Sequence, residues 1–409
     1  MGKDIKGKEL GEGFTQRKDG RYVARYVDRF GKRICLYNRD LKQLRLDLNE
    51  AIYKDQNHIS VVNKGTTLNK WFEKWLNIHK EDVIRQSTRQ QYISIFEKHI
   101  SPYLGKKCLS DITQLNVKET IKAVRDGGYG YETQNKVRIL LLDMFNKAMI
   151  DDYVVKNPAK GVSVKRNEKI DRKVLTQEEQ VLFFECCKGT FYDNLFVTAI
   201  TTGLRPGELF ALTWDDIDLE SMEININKTL VYQKFDGDNK KTFHIGPPKT
   251  ETSNRTVPIT RQCEIALKKQ YIQHKIIMNK RSAKPIKGLE KCLFTTKYGT
   301  PLNPQIYSDA IKVVVNEINL FRDELEQIEY FSGHTFRHTF ATRCFESNIQ
   351  GKTIQKYLGH ATLQMTMDLY THVIDDHKKI ELKKLEGSLD LIEQSYEKIF
   401  EERFAQSFM

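Results

Sequence analysis

Long apolar runs are missing from this chain of 409 residues, and so are the motifs of nucleotide-driven chemistry. No stretch reaches the roughly 18 consecutive apolar residues of a membrane-crossing helix, so we expect no membrane span. The N-terminal residues lack the apolar core of a signal peptide. Neither a Walker A motif nor a glycine-rich dinucleotide loop is present, and we therefore expect no nucleotide cofactor.

Cysteine is also scarce. The seven cysteines include no C-x-x-C pair. An odd number without paired spacing in a large chain indicates reduced thiols, as in a cytoplasmic protein. We expect the adjacent Cys186 and Cys187 to lie on a buried helix surface.

Positive charge, in contrast, is abundant. The formal net charge is +12 at pH 7, and lysines and arginines occur along the whole chain rather than in one tail. Such a balance favours a polyanionic partner, although ribosomal and membrane-surface proteins are equally basic. The length accommodates two or three domains, each with its own core.

The most informative residues lie in the second half of the chain. Arg205 occurs in a T-G-L-R-P-G-E stretch, His334 and Arg337 in H-T-F-R-H, and His360 in L-G-H, ten residues before Tyr370. Attack on a phosphodiester needs a nucleophile, donors for the non-bridging oxygens and a proton for the leaving oxygen. These residue types, in this order, suit phosphoryl transfer through a covalent tyrosine.

The arginines and the tyrosine have distinct tasks in that chemistry. A guanidinium is permanently charged and binds phosphate oxygens two at a time, which suits Arg205 and Arg337. If the segment around Arg337 is helical, His334 lies on the same face. Tyr370, with an ordinary pKa of about 10, needs nearby cations to lose its proton. The arginines and a histidine would supply that field.

Each residue also has a simpler interpretation. Arg205 and Glu208 could form a surface helix pair worth about 0.3 to 0.5 kcal/mol, and Glu208 is expected to be the structural partner of the arginine. His334 and His338 have the spacing of metal ligands, but Arg337 between them and the missing carboxylate oppose a metal site. We therefore expect no metal, and we expect His338 to be a packed helix residue.

The quoted motifs resemble those of the tyrosine recombinase family, also called phage-type integrases. The family pattern is an arginine in T-G-L-R, then H-x-x-R, then L-G-H, then a tyrosine followed by threonine and histidine. The likeness covers roughly residues 66 to 375. It implies that Tyr370 is the nucleophile and that four residues activate the phosphate: Arg205, His334, Arg337 and His360.

The resemblance also implies a sixth catalytic residue, a lysine in a β-hairpin that acts as general acid to the leaving 5′ oxygen. Lys249 matches it, in a P-P-K-T stretch followed by a polar turn and a strand-like segment from Arg255 to Ile259. Lys240 and Lys241 lie close by in the sequence and are alternatives.

The activity implied by this resemblance is site-specific DNA recombination. Each strand would be cut through a 3′-phosphotyrosine bond and rejoined through a Holliday junction in a homotetramer, without cofactor, to integrate and excise a mobile element. The implied partners are double-stranded DNA with core and arm sites, an excision factor and a host DNA-bending protein, near the nucleoid of a bacterial cell. A type IB topoisomerase and a catalytically idle DNA-binding regulator are the alternatives.

The expected fold is multidomain, mainly α with α+β parts. In residues 1–60, alternation predicts strands over residues 22–27 and 33–37 and a helix over residues 40–54. The resemblance implies an arm-type DNA-binding domain with a small β-sheet and one helix; a basic module that merely adheres to phosphates is the alternative. The contact candidates are Arg17, Lys18, Arg21, Arg25 and Arg33.

Residues 66–160 predict four helices with apolar stripes. Thr67 and Thr88 are expected to cap the first two, and Leu115 to open the stripe of the third. The resemblance implies a helical core-binding domain of SAM-like type. Its candidate DNA contacts are Arg85, Arg89, Lys118, Lys122 and Arg138.

A basic linker over residues 161–175 leads into the expected α+β catalytic domain, residues 176–386. A capping box at Thr176 predicts its first helix, with Val181, Leu182 and Phe184 on the apolar stripe.

Residues 387–409 form a predicted helical tail. The tail's apolar stripe is Leu389, Ile392, Tyr396 and Ile399. Family habit implies donation of this tail to a neighbouring subunit, and docking on its own domain is the alternative.

Overall fold

The computed structural model describes residues 2–28, 31–56, 65–166, 173–248 and 250–370, with the isolated positions 386 and 389. The chain divides into two units, residues 1–169 with Phe235–Gly237, and residues 170–234 with 238–409. Within these described ranges, no helix is both long enough and apolar enough to cross a bilayer.

Short strands and one helix form the N-terminal part of the first unit. Their bounds are β1 (Gly2–Lys3), β2 (Glu9–Gly11), β3 (Phe14–Gln16), β4 (Tyr22–Val27), β5 (Arg33–Asn38) and α1 (Leu41–Gln56). Strands β3, β4 and β5 form an antiparallel sheet in that order. Helix α1 covers one face of this sheet, with Ala24, Leu44 and Leu48 in the shared core. The predicted small sheet with one helix is therefore confirmed.

Helices form the rest of the first unit. Their bounds are α2 (Leu68–Lys74), α3 (Gln86–Ile95), α4 (Ser101–Leu104), α5 (Gln114–Asp126) and α6 (Tyr131–Ile150). Thr67 caps α2 by accepting a hydrogen bond from the backbone N–H of Lys70, as predicted. Trp71 and Phe72 of α2 pack in a core that includes much of α6, and the ring of Phe72 stacks on that of Phe96.

Two predictions for these helices are wrong. Helix α3 begins one turn earlier than expected, because Arg85 has the extended backbone of an N-cap, and the N–H of Thr88 already donates to the Arg85 carbonyl. Leu115 is 63% exposed, since the buried face of α5 begins at Val117. The Thr113 side chain caps α5 and leaves Leu115 on the solvent side.

The second unit is an α+β domain with two small antiparallel sheets. Its helices are α7 (Gln177–Cys187), α8 (Asp193–Thr202), α9 (Pro206–Ala211), α10 (Arg261–Met278), α11 (Pro304–Asn319), α12 (His334–Glu346), α13 (Gly351–Leu358) and α14 (Leu363–Tyr370). Its strands are β6 (Ile217–Asp218), β7 (Glu223–Ile226), β8 (Thr229–Gln233), β9 (Thr242–Gly246) and β10 (Arg255–Pro258). One sheet has the order β10-β7-β6, and the other is the β8-β9 hairpin.

An aromatic cluster fills the core of this unit. Phe336 of α12 lies with its ring centroid 5.4 Å from that of Phe183 and 5.8 Å from that of Phe196. The predicted capping box at Thr176 is confirmed. The predicted stripe of α7 is wrong in part, because Val181 is 55% exposed and Phe183 is the residue that enters the core. Cys187 is buried as expected, and Cys186 is half-buried.

The expected hairpin setting of Lys249 is not observed. Strand β9 pairs with β8, whereas β10 pairs with β7 in the other sheet. Pro247 and Pro248 have no N–H with which to continue the ladder of β9, and the following segment links the two sheets. Lys249 itself lies outside the described residues, as do Ile392, Tyr396 and Ile399 of the predicted tail.

Candidate active site

Arg205 projects from a tight connection between two helices. Helix α8 ends at Gly203, whose left-handed backbone turns the chain, and Arg205 is the N-cap of α9. Its guanidinium donates to Oε1 of Glu208 at 2.8 Å and to the Gly359 carbonyl at 3.2 Å. The Arg205 side chain is 32% exposed, whereas Glu208 is buried. The interpretation as a surface helix pair is therefore wrong.

Glu208 also binds a second arginine that was not predicted from the sequence. Both terminal nitrogens of Arg255 donate to the Glu208 carboxylate, at 3.1 and 2.9 Å, and its Nε donates to the Tyr357 carbonyl at 2.6 Å. Arg255 is buried at the start of β10. One carboxylate thus joins α9 to β10, and Arg255 joins β10 to the end of α13.

The ionised form of Glu208 is stabilised by these contacts. Burial acts to raise the pKa of the carboxyl, but the hydrogen bonds and charge of Arg255, followed by the charge of Arg205, outweigh it and lower the pKa. Glu208 therefore stays charged at neutral pH. It balances one of the positive charges around it.

Arg337 is the most deeply buried cation of the group. One of its terminal nitrogens donates to the Gly203 carbonyl at 2.8 Å and the other to the Leu358 carbonyl at 2.5 Å. These carbonyls terminate α8 and α13, where helix dipoles favour a cation. Burial and then the charge of Arg205 lower the pKa of Arg337 to about 9, so the guanidinium remains charged at neutral pH.

His360 lies directly after the left-handed Gly359 that ends α13. Its ring is buried, and Nδ1 lies 2.9 Å from Oγ1 of Thr366 on α14. Burial, followed by the charges of Arg337 and Arg205, lowers the pKa of His360 to about 3. The ring is therefore neutral at physiological pH and has a single N–H.

His334 opens α12 and shares this electrostatic environment. The side chain is exposed overall, but partial burial of its ring and then the charges of Arg337 and Arg205 lower its pKa. The preceding Gly333 lies against the ring of Tyr307, so closely that a Cβ would lie 2.0 Å from Cε1. A residue with a side chain therefore does not fit directly before α12 without a shift of this ring. His338, one turn later, is half-buried within α12, in agreement with the predicted packed helix residue.

Tyr370 is the last residue of α14. Leu369 of this helix is buried in a small core with Ala341 of α12 and with Ile354 and Leu358 of α13. The helix of Tyr370 therefore packs on the two helices that carry Arg337 and precede His360. Among the described residues, no group of three or more His, Cys, Asp or Glu side chains is placed to hold a metal ion.

The structure thus brings Arg205, His334, Arg337 and His360 into one electrostatic neighbourhood. Sequence reasoning missed Arg255 and Thr366. Alternation along β10 indicates a buried position at 255. The role of an arginine there can be recognised only when Glu208 is known to face it. Nothing in the sequence indicates which ring nitrogen meets Thr366.

Three family models match the chain. The model described as the phage integrase family matches residues 173–377, which is just over half of the chain. The N-terminal SAM-like domain of phage integrases matches residues 67–124, and the DNA-binding domain of the Tn916 integrase matches residues 1–50. The chain therefore belongs to the phage integrase family.

Curated relatives extend over nearly the whole chain. The transposase from transposon Tn1545 of Streptococcus pneumoniae is 29% identical over 407 residues, covering 94% of this chain and 96% of that protein. The transposase from Tn916 of Enterococcus faecalis is 28% identical over the same length and coverage. The ICEBs1 integrase of Bacillus subtilis is 27% identical over 302 residues, covering 73% of this chain and 77% of that protein.

Solved structures share the fold. The Tn1549 transposon integrase in complex with circular intermediate DNA has a TM-score of 0.64 at 24% identity, covering 78% of this chain and 99% of that chain. A lambda integrase dimer bound to a core site has a TM-score of 0.56 at 18% identity, covering 74% of this chain and 95% of that chain. This chain is accordingly an integrase, a site-specific recombinase that breaks and rejoins DNA.

Proposed function

We propose that Tyr370 attacks the scissile phosphate in line with the 5′ oxygen. The phenolate oxygen forms a bond to phosphorus, the bond from phosphorus to the 5′ oxygen breaks, and that oxygen takes up a proton. The products are a 3′-phosphotyrosine and a free 5′ hydroxyl. Reversal with another strand's 5′ hydroxyl rejoins the DNA, so the bond energy is kept in the phosphotyrosine.

The observation that carries this proposal is the anchoring of two guanidiniums: Arg205 binds the Glu208 carboxylate, and both Arg205 and Arg337 donate to carbonyls at the ends of α8 and α13. Arg205 is partly exposed and rigidly held, and Arg337 is buried beside it. Together with Arg255 they outnumber the single negative charge of Glu208. Such a preorganised positive site stabilises the charge that develops on phosphate oxygens. It also favours loss of the Tyr370 proton.

The two histidines act as neutral hydrogen-bond donors in this proposal, since the pKa of each is lowered. Lys249 is proposed to protonate the 5′ oxygen. Support comes from the turn that follows it, because Oγ of Ser253 accepts a hydrogen bond from Arg205 at 3.4 Å. The chain after Lys249 is therefore tied to the arginine that would bind the phosphate.

The test is covalent trapping on a nicked, suicide-type DNA duplex. Tyr370→Phe removes only the phenolic oxygen, so it should bind DNA but form no adduct. Arg205→Ala and Arg337→Ala should each slow cleavage by at least about 100-fold, the usual loss for one transition-state donor. Arg205→Lys, which keeps the charge but not the fork, should lie between them and the parent. An adduct with the Phe variant would place the nucleophile elsewhere.

Two assays on the unmutated protein test the alternative functions and the metal interpretation. A type IB topoisomerase would relax supercoiled plasmid that has no attachment site, whereas we expect the integrase to act only on plasmid with one. Cleavage should persist in excess EDTA, because the arginines neutralise the phosphate. Loss of cleavage that a dication restores would revive the metal interpretation of His334 and His338.

The N-terminal sheet supports a proposed arm-binding domain over residues 1–60. Arg25 and Arg33 are exposed on the sheet face opposite α1, together with Val27 and Tyr37. Arg17 and Arg21 are held at the edge by Asp19, and Lys18 is exposed beside them. A basic face without a covering helix is suited to a DNA groove.

Residues 66–160 are the proposed core-binding domain. Lys118 and Lys122 are exposed on α5 and line a cavity of about 560 Å³ with Arg125 and Lys165. Arg89 donates to the Leu76 carbonyl and therefore also holds its own domain together. Arg138 is bonded to Asn135, and Arg85 is exposed at the start of α3. The two lysines are thus the strongest proposals for phosphate contacts.

Double-stranded DNA is the proposed partner, supported by the DNA complexes of the Tn1549 and lambda integrases. A lambda integrase tetramer bound to a Holliday junction, with a TM-score of 0.51, supports a homotetramer.

We propose that residues 161–175 link the halves of each subunit, that residues 176–386 form the catalytic domain, and that residues 387–409 dock on a neighbouring subunit. An excision factor and a host DNA-bending protein complete the proposed assembly, in the cytoplasm.

A further inference from the structure

Thr366 is a fully buried hydroxyl in contact with a site histidine. It lies on α14, one turn before Tyr370, and its relative exposure is 0%. Oγ1 lies 2.9 Å from Nδ1 of His360. Within the described part of the chain, this is the only side-chain hydrogen bond in which either the hydroxyl or the ring takes part.

The hydrogen on that bond can be assigned by counting donors. A neutral histidine has one N–H and one acceptor nitrogen, and a threonine hydroxyl has one hydrogen. If Nδ1 held the ring hydrogen and donated it, the buried hydroxyl hydrogen of Thr366 would have no described acceptor. Leaving a buried donor unsatisfied costs about 1 to 3 kcal/mol. The hydroxyl therefore donates to Nδ1, and the ring hydrogen lies on Nε2.

We propose that Thr366 is a positioning residue that fixes His360 in the tautomer with its hydrogen on Nε2, which is the form able to donate to a phosphate oxygen. Because Thr366 lies on the helix that ends at Tyr370, the same bond ties the orientation of the His360 ring to the position of the nucleophile's helix. This inference rests on the proposed role of His360 as a phosphate donor.

Thr366→Val tests the inference because valine keeps the branched shape and removes the hydroxyl. Thr366→Ser is the matched control, since it keeps the hydroxyl and loses a methyl group. With the full-length protein on the suicide duplex at saturating concentration, we expect Val to slow cleavage about 10-fold, the equivalent of one hydrogen bond. Ser should stay within about threefold of the parent, and DNA binding should be unchanged in both.

A double-mutant cycle shows whether the effect passes through His360. In a His360→Ala background, Thr366→Val should have no further effect on the cleavage rate. An equal loss in both backgrounds, or parental cleavage by Thr366→Val, would overturn the inference while the role of His360 stands. Parental cleavage by His360→Ala would instead overturn the proposed role of His360.

A measurement on the unmutated protein keeps the inference testable if the Val variant does not fold. Nitrogen-15 spectra of histidine-labelled protein distinguish the two neutral tautomers, and His360→Ala identifies the resonance by its disappearance. We expect the Nε2–H form for His360. The Nδ1–H form would overturn the assignment of Thr366 as the donor.

Discussion

At the scale of single residues, the site is governed by how few negative charges it contains. Glu208 is shared between Arg205 and Arg255, and the described partners of Arg337 are carbonyl oxygens. In the proposed function, the scissile phosphodiester supplies the missing negative charge. Burial and then the charges of the same arginines lower the pKa of His360 and keep its ring neutral, and this has a consequence for stability in acid.

We predict that protein stability falls between neutral and acidic pH partly because of His360. Its pKa is lowered from 6.5 to about 3 in the folded state. Between these values the unfolded chain binds one more proton at this residue, so lowering the pH favours unfolding. Melting temperatures from pH 7 to pH 4 should therefore fall more steeply for the parent than for His360→Gln. Parallel curves would contradict the prediction.

The proposed catalytic residues could be named from the sequence because their types and order are tied to phosphoryl transfer. Arg205, His334, Arg337 and His360 needed no knowledge of the fold. The residues that hold them in place could not be predicted in this way, since Arg255 lies 47 residues from the carboxylate that it binds. Its role depends on a sheet and a helix meeting in space. The sequence pattern does not show which elements contact each other in the folded chain.

At the scale of elements, two helix ends with the same geometry hold the arginines of the proposed phosphate site. Both α8 and α13 end in a glycine with φ of 61°, Gly203 and Gly359. Only glycine adopts this left-handed conformation without cost. The carbonyls of Gly203 and Leu358 then point at Arg337, and that of Gly359 at Arg205.

Substitution at one of these ends should therefore harm both folding and cleavage. In Gly359→Ala the new Cβ would lie 2.9 Å from both the Thr252 carbonyl oxygen and Cδ of Arg255. Gly189→Ala is the matched control, with φ of 76° and nothing within 4 Å. We expect the control to lose about 1 kcal/mol from backbone conformation alone. Gly359→Ala should lose at least about twice that and slow cleavage, as measured by thermal unfolding and covalent trapping.

If the two variants behave alike, the packing around Gly359 does not matter.

Element types were easier to predict than element boundaries. The strong stripes of α2 and α6 were recognised from the sequence, yet α3 starts before Thr88. The sequence offers several cap-like residues there, and tertiary packing chooses among them.

At the scale of the whole molecule, the parts proposed to read and to cut DNA are separated along the chain. The N-terminal sheet has its own small core, and every proposed catalytic residue follows residue 200. The sequence indicated strands over residues 22–27 and 33–37 and a strand-like segment from Arg255 to Ile259. It did not show that β8 and β9 form a separate hairpin, because pairing between strands depends on long-range geometry.

Removing residues 1–60 should spare cleavage of a core-site oligonucleotide and abolish binding to a second, distant DNA sequence. A double variant, Arg25→Ala with Arg33→Ala, should reproduce the binding loss because both side chains are exposed on the face opposite α1. Lys42→Ala, on α1, is the control that should bind normally. Gel-shift titration with each DNA measures the effect. Full arm binding by the truncated protein would show that the sheet does not read DNA.

The crowding of Arg205, Arg255 and Arg337 around one carboxylate has a thermodynamic consequence for the protein without DNA. Burial, followed by the charges of Arg205 and Arg255, acts to lower the pKa of Arg337, and an anion beside these arginines would reduce the repulsion among them. A bound anion stabilises the fold by mass action. Sulfate should thus raise the melting temperature more than chloride at equal ionic strength, and Arg205→Ala should reduce that difference. We therefore expect the integrase to be less stable alone than with an anion bound at these arginines.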